Sequence, residues 1–255
     1  MASSRAALGL ALCAWVAAAP AAAEMLSLYE VPVRMAGRVE EGREALRVEV
    51  HVRRPERLAE HFAGAVVRDD AVTLALGGRD TLPGEPGERQ RAPSFVIDWD
   101  EKPVVSLHAR LVAEQGASPS IDALREFANR AIPHKTLSQG WDLASAVARN
   151  GAGDCSEHAV LLAALARSVG LPARVVVGVL LVEAEGKVAG FGHAWTEIHD
   201  GTRWQIADAT PIGDERGLRY LPLFALEDEG PGYSMALATA TQALWVREIT
   251  ILGTR

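Results

Sequence analysis

One stretch of the chain concentrates groups able to make and break covalent bonds. Gly151-Ala152-Gly153 leads into Asp154-Cys155-Ser156-Glu157, and Ala159 to Val169 is apolar except for Arg167 and Ser168. Asp154 with Glu157 three residues on is the spacing of a helix capping box, with Asp in place of Ser or Thr. Gly170 and Pro172 then stop a helix that is apolar on most sides and hence buried. Cys155 falls in its first turn, where unpaired amides and the positive end of the helix dipole favour a thiolate. The same amides are placed to hold an oxyanion during attack on a carbonyl. Free cysteines commonly serve as small buried hydrophobes. Here the neighbouring glycines clear space rather than fill it, which argues for a reactive thiol.

A histidine and an aspartate can be brought together by a hairpin. Phe191 to His199 and Thr202 to Asp208 read as strands joined by Asp200-Gly201, a favoured two-residue turn. In that register His199 pairs with Thr202, and His193 stands directly opposite Asp208. Cα atoms so paired lie about 5.5 Å apart, within reach of a carboxylate–imidazole hydrogen bond. Trp195, Trp204 and Ile206 share that face, so it is the apolar one and the one expected to lie under the buried helix. A slip by one residue would separate the pair. Thiol catalysis needs a thiolate, a base that manages its proton, and a group that orients the base. Cys155, His193 and Asp208 match those roles in that order.

The surrounding elements are of two kinds. From Glu24 to about Glu114 the pattern is mostly β: Leu46 to Val52 alternates strictly, and Val72 to Leu76 and Val104 to Val112 also read as strands. Glu56 to Val66 reads as a short helix, and Thr81 to Pro93 as a solvated loop. After Ser118-Pro119-Ser120, a helix is expected with Leu124, Phe127, Ala128 and Ala131 on one face, and another over Trp141 to Arg149. Arg174 to Val182 is an unbroken apolar run typical of a central strand. Tyr220 to Phe224 and Trp245 to Leu252 read as strands flanking a helix over Tyr233 to Leu244, and complete the sheet or dock the N-terminal region. These readings divide the chain into 1–23, 24–116 (β-rich) and 117–255 (catalytic).

Residues Met1 to Ala23 have the form of a secretory signal peptide: Arg5, an apolar core over Ala6 to Ala19, and Ala21-Ala22-Ala23 before Glu24. The expected location is therefore periplasmic or secreted, with no membrane span in the mature chain. Removing that segment takes away Cys13 and leaves Cys155 without an intramolecular partner in an oxidising compartment. Among 255 residues, 49% are hydrophobic and 23% charged, with a formal net charge of −7. That is globular composition with no electrostatic invitation to nucleic acid. No metal or cofactor is expected: Cys155, His158 and His193 lack the second ligand pair of a zinc site. Asp98-Trp99-Asp100-Glu101 lacks the calcium loop and reads as a solvated acidic turn. His158 is expected to pack or cap locally, His199 to be exposed at the turn, and Glu197 to sit opposite Trp204 near the edge of the apolar face.

Four segments taken together resemble the transglutaminase-like superfamily: Gly153-Asp154-Cys155-Ser156-Glu157-His158-Ala159; Ala166-Arg167 with Gly170-Leu171-Pro172-Ala173-Arg174; His193-Ala194-Trp195; and Asp208-Ala209-Thr210. The similarity spans roughly Ser120 to Pro211. It implies an α+β, papain-like core, a cysteine-bearing helix against an antiparallel sheet, preceded here by the β-rich region. By that resemblance Cys155 is the nucleophile, His193 the general base and acid, and Asp208 the orienting residue. Members of the family commonly have Asp-Pro-Thr where this chain has Asp208-Ala209-Thr210, and some use an upstream aromatic oxyanion donor, for which Trp141 is a candidate. The implied activity is attack on peptide or carboxamide carbonyls through a thioester. Hydrolysis of a protein or peptide substrate is favoured because water needs no second substrate site. Transglutaminase acyl transfer and a non-catalytic envelope binding module are the alternatives. A papain-type protease proper is disfavoured, because the Cys-Gly-x-Cys-Trp pattern is absent. The oligomeric state leaves no trace in the sequence.

Overall fold

The computed structural model of the chain describes residues 29–40, 45–137, 140–210 and 217–254. The signal peptide expected over 1–23, with Cys13, and Pro211 of the motif region lie outside the described residues.

The N-terminal part contains β1 (Glu30–Val31), β2 (Val33–Met35), β3 (Leu46–Val52), α1 (Pro55–Ala59), β4 (Val66–Arg68) and β5 (Ala71–Leu76). Helices and short strands follow: α2 (Lys102–Gln115), α3 (Ile121–Ala131), β6 (His134–Lys135), α4 (Ala144–Asn150), β7 (Ala152–Gly153) and α5 (Cys155–Ser168). The remainder is β8 (Ala173–Ala184), β9 (Lys187–His199), β10 (Trp204–Ala207), β11 (Leu218–Ala225), α6 (Tyr233–Ala243) and β12 (Val246–Thr254). This is a mixed α/β fold with two five-stranded sheets, mainly antiparallel.

The first sheet runs β1-β9-β8-β11, with β10 also on β9. The second runs β2-β12-β3-β5-β4, so the last strand of the chain lies between two of the first. β12 is parallel to β2 and antiparallel to β3. Strict alternation in β3 buries Leu46, Val48, Val50 and Val52 against the first sheet, where Val179, Leu181, Leu221 and Leu223 meet them. On the same face of the first sheet α5 covers Ala173, Val175, Ala194 and Ile198, and Thr196 Oγ1 donates to Ala159 O at 2.8 Å. Helix and second sheet thus share one face of the first sheet, with a seam between them at Val177 and Val179.

Three sequence expectations are corrected. Val104 to Val112 is not a strand but part of α2. Val104, Leu107 and Leu111 are the buried residues while Val105 is 48% exposed, a spacing of three and four that follows the helical period, and Pro103 is tolerated in the first turn. The hairpin loop holds four residues, not two: Trp204 pairs with His199 and Ala207 with Thr196. Asp200 Oδ1 accepts from the amides of Thr202 and Arg203, building an Asx-type turn in place of the tight one. The register therefore moves by two, and a shift of two preserves the face. Third, α5 lies over the face of Ala194, Thr196 and Ile198, whereas Trp195 and Ile206 pack with Tyr220 on the other. The apolar pattern did not distinguish these faces because both are buried.

Candidate active site

Cys155 opens α5 as its sequence requires. Asp154 Oδ1 accepts from the Ser156 amide at 2.8 Å and Glu157 Oε2 from the Asp154 amide at 2.9 Å, closing the capping box. Glu157 is fully buried, and its Oε1 takes the Asp142 amide at 3.1 Å, which ties the loop before α4 to the cysteine turn. Burial, and then the charge of Glu157, raise the Asp154 carboxyl to about 6. Space beside the cysteine is less open than the glycines suggested. A Cβ at Gly153 would lie 2.3 Å from Glu157 Cβ, so this glycine admits the capping side chain. The Ser156 amide, expected to be available to an oxyanion, is engaged by Asp154. Cys155 itself is a half-buried free thiol.

His193 occupies an interval on the outer edge of β9. β1 covers that edge at Gly190 and Phe191, the Gly192 amide donates to Tyr29 O, and β10 resumes at Thr196. Asp208 follows the last paired residue of β10. Across this interval His193 Nε2 and Asp208 Oδ2 are 2.7 Å apart, both side chains buried, which leaves Nδ1 as the ring nitrogen available to the thiol. Burial alone would lower the imidazole pKa. The charge and hydrogen bond of Asp208, followed by the hydrogen bond and charge of Cys155, raise it instead to about 10. Burial acts to raise the Asp208 carboxyl, and the His193 charge and hydrogen bonds from His193, Thr210 N–H and Tyr220 pull it below the usual range. His193 and Asp208 are thus in contact, and Cys155 lines the same cavity as His193.

Further supports of the aspartate were not anticipated. Tyr220 Oη donates to Asp208 Oδ2 at 3.0 Å, and burial first, then the Asp208 charge, raise the phenol so that it keeps its proton. From α3, Arg125 Nε donates to Asp208 O at 2.9 Å and Asn129 Nδ2 to Ala209 O at 2.8 Å. The available signal was two polar residues four apart on an otherwise apolar-faced helix. Trp141 lies at the cavity beside Cys155 with φ 60°; its amide donates to Ser156 Oγ and its carbonyl accepts from Tyr233 Oη.

His158 packs as expected, with Nδ1 2.6 Å from Asp154 O and Nε2 taken by Lys135 Nζ. Burial and the neighbouring ammonium push it down to about 4, so the ring is neutral. Among the described residues no three His, Cys, Asp or Glu side chains are grouped to hold a metal ion. His199 is not exposed but buried against Trp204, with ring centroids 5.3 Å apart. Glu197 pairs with Ile206 rather than Trp204 and is fully buried in an ion pair with Arg174, Nη2 to Oε2 2.6 Å. The acidic turn is structural as well as solvated: Asp98 Oδ1 accepts the Ser145 amide at 2.8 Å.

Residues 108–209 match the model of the transglutaminase-like superfamily, a span that contains Cys155, His193 and Asp208. Over that span the chain is similar to a transglutaminase-like domain. Comparison with curated proteins gives no match. Solved structures similar to it include a candidate cysteine protease from Cytophaga hutchinsonii, 16% identical with a TM-score of 0.42 over 71% of this chain and 77% of that one. The periplasmic domain of TgpA from Pseudomonas aeruginosa, bound to ethylmercury, is 22% identical with a TM-score of 0.32 over 55% and 54% of the two chains. A TGase structure is 16% identical with a TM-score of 0.33 over 59% and 44%. Among the described residues, no helix is long and apolar enough to cross a membrane.

Proposed function

We propose that the protein is an exported thiol enzyme that cleaves peptide or carboxamide bonds through an acyl thioester on Cys155. The observation that carries this reading is the buried 2.7 Å contact of His193 with Asp208, with the Cys155 thiol lining the same cavity as the ring. In the reacting form the proton of the thiol resides on the His193 ring. Sγ attacks the carbonyl carbon, the C–N bond breaks, and His193 delivers its proton to the departing amine. Water then attacks the thioester while His193 takes one of its protons; the C–S bond breaks, the acid leaves and the imidazolium–thiolate pair is restored. Asp208 keeps the ring oriented through both halves. Water is the preferred acceptor because the reaction then needs no second substrate site. The exported location rests on the signal-peptide pattern of Met1 to Ala23.

The test is alkylation of Cys155 by iodoacetamide as a function of pH, together with incubation of the protein with casein and a fluorescent amine. A fast reaction at neutral pH that collapses in His193→Ala, with casein fragments and no incorporated amine, is the expected result. Label incorporated without fragments would replace hydrolysis by acyl transfer. A thiol that reacts like free cysteine and ignores His193→Ala would leave only a binding module.

A further inference from the structure

Resting on that reading, we propose that the cavity beside Cys155 is a subsite for a large apolar side chain on the acyl side of the reacting carbonyl, making the substrate a polypeptide with an aromatic or bulky aliphatic residue there. The cavity measures about 450 Å³ and lies in the seam between α5 and the second sheet. That is within the range of about 300–1,000 Å³ typical of sites that enclose an organic group. Its apolar walls include Val177, Val179, Leu223, Leu244, Tyr29 and Trp245. The rings of Tyr29 and Trp245 are 4.6 Å apart, and Tyr29 Oη donates to Val246 O at 2.7 Å, so the phenol tip is engaged.

Polar groups other than Thr241 cluster at the α5 and β9 end, where Asp154, Cys155, Ser156 and His193 contribute. The one carboxylate in the lining, Asp154, accepts from the amide and hydroxyl of Ser156. No lysine, arginine or glutamate lines the cavity among the described residues, and Asp154 is already engaged by Ser156, so a charged side chain among the apolar walls would lose water without a counter-charge beside it. A Phe or Leu side chain would instead exchange water for apolar wall. Of the wall residues, Tyr29, Leu223, Leu244 and Trp245 lie outside the segment that matches the superfamily. The selectivity therefore draws on residues before and after the matched segment as well as within it.

Dipeptidyl chloromethyl ketones with Phe, Leu, Ala or Lys at each acyl-side position in turn test this, with alkylation of Cys155 followed by mass spectrometry. At one of the two positions Phe and Leu should react about 10- to 100-fold faster than Ala and Lys, the advantage expected for burying a large apolar side chain. Thr241→Trp, which fills the cavity, should reduce that ratio toward one. Trp245→Ala, at the half-exposed rim, should reduce it with the fold retained by circular dichroism. Equal rates for all four probes, alongside iodoacetamide alkylation that still depends on His193, would overturn the subsite alone. Loss of the His193 dependence itself would overturn the enzyme reading and the subsite with it.

Discussion

The buried imidazole of His193 keeps a proton that burial would ordinarily expel, because Asp208 and Cys155 both stabilise the charged ring. Two outcomes follow from that balance. Asp208→Asn should preserve the packing but misorient the ring, lowering kcat by several orders of magnitude, about 10⁴-fold by analogy with the serine-protease triad. Steady-state kinetics with an intact circular dichroism spectrum is the check. The second outcome concerns stability. His193 has its pKa raised from about 6.5 in the unfolded chain to about 10 in the folded one. Its contribution is therefore fully present below about pH 6.5 and is lost as pH rises through about pH 10. Urea midpoints should fall across that window in the wild type, and His193→Gln should flatten the fall. A wild-type midpoint that is constant over the window would contradict the charged-ring assignment.

At the scale of elements, close approach is what Gly178 provides on β8. A Cβ there would lie 2.2 Å from Leu221 O on β11 and 2.6 Å from Trp195 Cη2 on β9, and one of those contacts is backbone that cannot rotate away. Gly178→Ala should therefore destabilise by about 1–3 kcal/mol, as overpacking does, measured by chemical denaturation. Trp195 is pressed between Gly178 and Tyr220, so the displacement would reach the hydroxyl that holds Asp208; a fall in kcat beyond the loss of folded protein is expected. The cysteine, the capping Asp154–Glu157 pair and the apolar body of α5 were legible in sequence because they depend on neighbours within one turn. The strand reading of Val104 to Val112 failed where a short apolar run fits either period, and the burial of Val104, Leu107 and Leu111 but not Val105 decides for the helix.

For the whole molecule, α5 is anchored at its far end by a buried ion pair. Arg167 Nη2 and Nη1 reach Glu229 Oε1 and Oε2 at 2.6 and 2.8 Å, and Nε and Nη2 donate to Ala173 O at the start of β8. Removing one partner strands a buried charge, so Arg167→Ala should cost about 3–5 kcal/mol, whereas a double replacement by apolar residues should cost less. Urea denaturation of the single and double variants separates the two cases. The sequence by itself determined the helix start that carries Cys155 and put forward His193 with Asp208, because capping and strand alternation are short-range rules. It determined the shared face of His193 and Asp208 even though the hairpin loop proved two residues longer, since a shift of two returns each side chain to its side. Only the tertiary structure decided which face α5 covers, that Tyr220, Arg125 and Asn129 brace Asp208 or its flanking backbone, and that the C-terminal strand enters the N-terminal sheet to wall the cavity beside the thiol. These contacts join residues far apart in the chain, and their pairing is set by packing complementarity, which no local pattern encodes.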